Sequence, residues 1–195
     1  MNRWEARKGK TRRSIKDTAM RIFLEGGYLA TTVEQLIEAA DVSRSTFYSH
    51  FANKLELLNA LVEDHIEHRA VRFRALVDLP VISPESISSW FDDVIKDARS
   101  NRDSVTLFRL AVGLDAGIMR QFTQGRDKFS LILSPRFRGF DIRSGTDQER
   151  EHHRAAAHFF VIGIEQIFAS LADDSWVIDL EVTKTYIARQ LIDNI

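Results

Sequence analysis

Apolar positions recur with a helical period along almost the whole chain. Ile15, Ala19, Ile22 and Phe23 stand at i, i+4, i+7 and i+8, which predicts a helix over about residues 11–25 with one apolar stripe. Gly26-Gly27 ends it, because glycine takes the left-handed conformation of a helix C-terminus without a Cβ clash. Val33, Leu36, Ile37 and Ala40 mark a short helix over 33–40, opened by Thr32 and Gln35 in capping-box relation. After Asp41-Val42-Ser43 a third short helix covers 44–50. Asn53 with Glu56 then opens a long one, with Leu55, Leu58, Leu61, Val62 and Ile66 on one face, running to Val77.

Leu79 to Pro84 is the linker candidate. Ser83 serves there as an N-cap and Pro84 as the first helical residue, where its missing N–H costs nothing. Further helices are predicted over 84–99, 103–112, 115–133, 146–172 and 180–193, the fourth opened by Thr146 and Glu149 as a capping box. Gly113, Gly117 and Gly125 loosen the middle region, and 135–145 is an irregular connection carrying Arg136, Arg138 and Arg143. With no hairpin signal, sustained alternation or repeat, the chain reads as all-α with about nine helices.

Composition sharpens this. The 195 residues include no cysteine, which removes disulfides, cysteine-based zinc sites, iron–sulfur ligation and thiol sensing together. The net charge of −1 conceals a division: residues 1–55 hold ten Lys/Arg against six Asp/Glu (+4), and residues 56–195 hold 17 against 22 (−5). Arg3, Arg7, Lys8, Lys10, Arg12, Arg13 and Lys16 form a basic N-terminal arm. On charge alone, this suits either a polyanion contact or a solvated terminus. The first residues have no apolar stretch of the kind a secretory leader needs. The longest run without charge, Ala155 to Ile164, is half of the ~20 residues of a spanning helix. A cytoplasmic protein without a membrane partner is expected.

The short helix 33–40, the turn and the short helix 44–50 make a helix-turn-helix supported by the helix before it. In this motif the second helix enters the major groove and its N-terminal residues meet base edges. Ser43, Arg44, Ser45 and Thr46 are short or bidentate hydrogen-bonders at that point. Tyr48, His50 and Lys54 stand on its flank, and Thr31 and Thr32 at the start of the other helix.

The stretch Ala19 to Leu58, AMRIFLEGGYLATTVEQLIEAADVSRSTFYSHFANKLELL, resembles the DNA-binding domain of tetracycline-repressor (TetR) family regulators. Phe23, Gly27-Tyr28, Thr31-Thr32-Val33, Ala40, Val42-Ser43, Thr46, Tyr48, His50-Phe51, Lys54 and Leu57 carry the likeness. It covers about the first quarter of the chain. Asp41 stands at the family's turn glycine, Ser45 at a glycine early in the recognition helix, and Ile37 at a usually small residue. Aspartate is among the few residues that tolerate the left-handed region.

The resemblance implies a DNA-binding domain over 1–55 and an effector-binding and dimerisation domain over 56–195. It implies that Thr31, Thr32, Tyr48, His50 and Lys54 clamp phosphates and that Ser43, Arg44, Ser45 and Thr46 face bases, with Arg44 the candidate for guanine. Val33, Leu36, Ala40, Val42, Phe47 and Phe51 are core. Effector candidates are His65, His68, Trp90, Phe91, Phe108, Arg109, Met119, Phe122 and Phe159, any of which could equally fill a core or, for Arg109, snorkel to solvent. Dimer candidates on the last two helices are Ala155, Phe159, Ile162, Gln166, Tyr186, Ile187, Gln190 and Leu191.

The implied function is a homodimeric, ligand-responsive transcriptional regulator, a repressor. It would read a near-palindromic double-stranded operator through helix 44–50 and be released by a small-molecule inducer. No cofactor and no enzymatic activity are expected: there is no GxSxG, no phosphate-cradling glycine loop and no cysteine nucleophile. Two alternatives stay open. One is a ligand-independent architectural DNA-binding protein of the same fold. The other is a metal-sensing or metal-dependent protein using His65/His68, or His152, His153 and His158 near Glu149 and Glu151.

Overall fold

The computed structural model describes residues 3–195; Met1, Asn2 and the Arg3 side chain, part of the basic arm, lie outside the described residues. Among the described residues nine α-helices follow in order: α1 Arg3–Gly26, α2 Val33–Ala39, α3 Arg44–Tyr48, α4 Lys54–Val77, α5 Pro84–Ser100, α6 Arg102–Ala111, α7 Ala116–Leu133, α8 Asp147–Ala172 and α9 Leu180–Ile192. No strand occurs among the described residues, and a single 3-10 turn, Arg138–Phe140, sits inside the irregular 135–145 connection.

The local signals act as their chemistry demands. Thr32 accepts from the Gln35 N–H while the Gln35 side chain accepts from Thr32, and Thr146 with Glu149 does the same at α8. Ser83 caps α5 with Pro84 in the first turn. Asn53 caps α4 through the Glu56 N–H, but the Glu56 carboxylate accepts from Ala52 instead of closing the box. Gly27 ends α1 at φ +80°, and Asp41 ends α2 at φ +50°. There the Val42 N–H reaches the Ile37 carbonyl and the Asp41 N–H that of Glu38, a Schellman closure made without glycine.

Two expectations need revision. α1 begins at Arg3 rather than near residue 11. No apolar stripe marks residues 3–10, but Arg, Glu, Ala and Lys are strong helix formers, so the helix continues past the point where its buried face stops. Gly125 does not loosen α7. A Cβ there would lie 3.1 Å from Ile66, so this glycine lets α7 close on α4.

A head of α1–α3 is closed by the first turn of α4. Ile15, Ala19, Phe23, Leu36, Phe47, Phe51, Leu57 and Leu58 fill its core, and each large side chain contributes about 1.5–3 kcal/mol. The body packs α4 to α9 around Phe73, Phe91, Phe129, Phe137, Phe140 and Phe168. α1 also contacts α6 of the body, so the head rests on both α4 and α6. α8 is long and apolar enough to cross a membrane by length and composition, which the uncharged run alone did not reveal. Its Ala157, Val161, Ile164 and Phe168 are turned into the body core.

Candidate nucleic-acid interface and ligand cavity

The five-residue α3 stands at the outer end of the head. Ser43 caps it: its hydroxyl accepts from the Thr46 N–H at 3.0 Å and lies within 2.9 Å of the Ser45 and Thr46 hydroxyls. Phe47 anchors it inward with no exposure, while Arg44, Ser45 and Tyr48 face out. The Arg44 guanidinium is held 2.7 Å from Glu34 of α2, an exposed pair. Such a pair is worth only about 0–1 kcal/mol, so an incoming acceptor displaces it cheaply.

Other candidates prove to be structural as well as polar. Thr31 is buried and donates to the Gly27 carbonyl at 2.8 Å. Lys54 donates to the carbonyls of Tyr28 (2.7 Å) and Thr31 (2.6 Å), with its ammonium 4.4 Å from the Tyr28 ring. It therefore clasps the α1–α2 connection from the start of α4. Arg12 bolts α1 to the end of α3. It donates to the His50 carbonyl at 2.7 Å, and its guanidinium lies 4.2 Å over the Phe51 ring. Exposed Trp4, Arg7 and Lys8 of α1 share a surface hollow with Thr46, Ser49 and His50, which brings the basic arm beside α3. Burial, aided by Lys8 and Arg12, lowers the His50 pKa below its ordinary value.

The proposed effector residues do not meet at one place. His65, Phe108 and Arg109 line a cavity of about 160 Å³ between α4, α6, α7 and α8. Trp90 and Phe91 belong to the α5 core, Phe122 packs edge-on against Phe108 at 4.2 Å, and Met119 is exposed. His68 is not among the residues lining the cavity, and it holds Asp97 at 2.8 Å together with Arg72. Burial works to raise the Asp97 pKa, but hydrogen bonds from Arg72 and His68 outweigh it and hold the carboxyl below its ordinary value.

The cavity also contains Arg69, Arg126 and Glu165, none of which sequence reasoning singled out. A signal existed. Arg69 falls in the buried register of α4 (58, 62, 66, 69, 73, 76), and Glu165 in that of α8 (161, 165, 168, 172). A charge on the inward stripe marks a polar interior.

Of the dimer candidates, Phe159 (75% exposed) and Tyr186 (64%) project outward with Ala155 and Gln166, and Val182 joins them at 61%. Ile162 and Gln190 are half-buried, whereas Ile187 and Leu191 face the chain's own core. The histidine groups do not converge. His65 bonds the Ser104 hydroxyl, His153 the Asp141 carbonyl and His158 the Asp127 carboxylate. Among the described residues no group of three or more His, Cys, Asp or Glu is placed to hold a metal ion.

A short helix held across a tight turn from a second, with its exposed N-terminal end polar and flanked by a basic helix, defines a helix-turn-helix DNA-binding domain. Residues 15–61, about a quarter of the chain, match the family model "Bacterial regulatory proteins, tetR family". Over 59 residues it is 39% identical to the HTH-type transcriptional regulator YvkB of Bacillus subtilis, a match covering 30% of this chain and 31% of the relative. The chain is thus matched over only about a third of that relative's length. Salmonella enterica GusR shares the fold across 94% of this chain and 96% of its own, with a TM-score of 0.70 at 19% identity. Thermus thermophilus FadR, a TetR-family repressor solved with lauroyl-CoA, does so across 94% of both chains, with a TM-score of 0.60 at 20% identity.

Proposed function

We propose that the chain is a homodimeric transcriptional repressor. Its head, 1–55, reads a near-palindromic operator, and its body, 56–195, binds a small molecule that releases the DNA. The observation that carries this reading is the outer end of α3. Arg44, Ser45 and Thr46 occupy the end of the helix that enters a major groove, and Arg44 is free to exchange Glu34 for a guanine edge. Tyr48, His50 and the basic face of α1 lie where phosphates flank that groove, and Thr32 sits at the N-terminus of α2 facing the backbone beyond it. Lys54 and Thr31 contribute chiefly by fixing the loop that aims α2.

The outward face of α8 and α9 supports the dimer. Phe159, Val182 and Tyr186 are large apolar side chains exposed together beside Gly163, which has open space around it. A second copy related by twofold symmetry would cover them and set two heads on one duplex. The route for release runs through α4 and α6. Both line the cavity, and both touch α1. A ligand that prefers one arrangement of these helices shifts the head spacing by its difference in affinity for the two states. The architectural alternative gives no use to a cavity containing a buried arginine.

Footprinting on the DNA upstream of the chain's own gene tests this reading. Protection of an inverted repeat with half-sites ~34–36 Å apart or a multiple of that, by two chains per site, is expected. Binding that protects no discrete site, or one chain per site, contradicts it.

A further inference from the structure

Arg69 is buried, and its burial brings its pKa down to about 10, so it remains charged at neutral pH. Its guanidinium lies 4.0 Å from the Phe168 ring and makes no hydrogen bond or ion pair among the described residues. Glu165 and Asp97 attract it only at longer range, and Arg72 opposes them. The other charges around the cavity are already matched: Arg126 pairs with Glu165 at 3.1 Å and Arg109 with Asp173 at 2.8 Å. A buried cation left without a direct partner is costly, and its planar fork of N–H donors suits a carboxylate. Apart from Gln166, the remaining walls are flat or apolar. His65 is held uncharged by burial, with a pKa of about 3, and stacks on Phe108 with ring centroids 4.0 Å apart, beside Val105 and Val112.

We propose that this cavity binds a small monocarboxylic acid with a flat or short apolar body. Its carboxylate would be held by Arg69, and its body would lie between Phe108 and Phe168. The volume of about 160 Å³ sets the size, since a cavity of roughly 150 Å³ holds a benzene ring. A long acyl chain with a nucleotide head group exceeds it several-fold. Glu165 at the wall disfavours a dianion such as phosphate. This inference rests on the reading of the body as the effector domain and gives that effector a chemical class.

Thermal unfolding and calorimetric titration of the full chain with benzoate, phenylacetate and butyrate, against benzamide and inorganic phosphate, test it. At least one of the acids is expected to bind and raise the melting temperature, while benzamide and phosphate leave it unchanged. Arg69→Met, which replaces an unmatched buried charge with a side chain of similar length, is expected to raise the melting temperature of the ligand-free protein and abolish the acid's effect. Arg69→Lys, keeping the charge without the fork, is expected to bind the acid about tenfold or more weakly. A purely structural role for Arg69 would instead lower the melting temperature in both variants.

Binding of none of the three acids overturns the proposal. So does equal binding of benzamide, or undiminished binding by Arg69→Met. Operator DNA in the same samples separates this from the functional reading. An acid that binds but releases no DNA upholds the ligand class and counts against the regulator. DNA released by lauroyl-CoA while no acid binds upholds the regulator and overturns the ligand class.

Discussion

In the head, Arg44 stands with its side chain 68% exposed and its charge met by Glu34; in the body, Arg69 is 4% exposed and its charge is met by no ion pair. The two regions use the same side chain under opposite constraints. At the surface, water supports both members of an ion pair, so their separation costs little, and Arg44 can change partners when DNA arrives. In the interior, an unmatched charge has no such support, and a partner that fits it gains strongly. The head is thus built to exchange polar contacts on a rigid apolar frame. The body holds charged groups in a largely apolar frame, and of those lining the cavity Arg69 lacks the ion pair that Arg109, Arg126 and Glu165 have.

The frame of the head gives the largest expected effect. Phe47 is fully buried beneath α3, so Phe47→Ala is expected to cost about 3–5 kcal/mol in chemical denaturation and to remove DNA binding with it. An unchanged denaturation midpoint would mean that α3 is not held by its core.

The body should respond next most strongly when a matched charge is unmatched. Arg126→Met leaves Glu165 buried without its partner and is expected to cost about 3 kcal/mol. Burial raises the Glu165 pKa above its ordinary value even against Arg126, so its ionised form is a penalty above that raised value. The penalty is relieved as pH falls toward 4.5, and the variant, lacking Arg126, should show a steeper gain in stability over that fall than the native chain. Equal pH profiles for the two proteins would count against the pair.

A smaller effect belongs to His50. Its pKa is lowered in the free head by burial, Lys8 and Arg12, and a neighbouring phosphate would raise it. DNA binding then takes up a proton. Affinity should rise as pH falls between the bound and free values, by at most about tenfold per unit, and His50→Gln should flatten that rise. The smallest change is Glu34→Ala, which frees Arg44. Folding stability should shift by less than about 1 kcal/mol, while specific DNA affinity improves slightly because no partner has to be exchanged.

How much of this was legible in the sequence differs between the two regions for the same reason. Caps, periodic stripes and turn residues act within a few positions. The helices, the Thr32 and Thr146 boxes and the left-handed Asp41 could therefore be read from their immediate neighbours. The start of α1 could not, because nothing apolar marks residues 3–10. Side-chain partnerships across the fold depend on which helices meet. Lys54 reaching back 26 residues to the Tyr28 carbonyl, Glu34 meeting Arg44 and the gathering of Arg69, Arg126 and Glu165 are products of packing. The grouping of Trp90, Met119 and Phe159 with the cavity residues dissolved for that reason: helical spacing says which face a residue takes, not which neighbour that face meets.

The most direct test of the account is a parallel titration of the native chain and Arg44→Ala on the DNA upstream of its gene and on random DNA of equal length. Native protein is expected to prefer the upstream DNA. Arg44→Ala should lose about 1–3 kcal/mol there and almost nothing on random DNA. Equal losses on both, or a native chain that binds the two alike, would contradict the assignment of Arg44 and the outer end of α3 to base recognition.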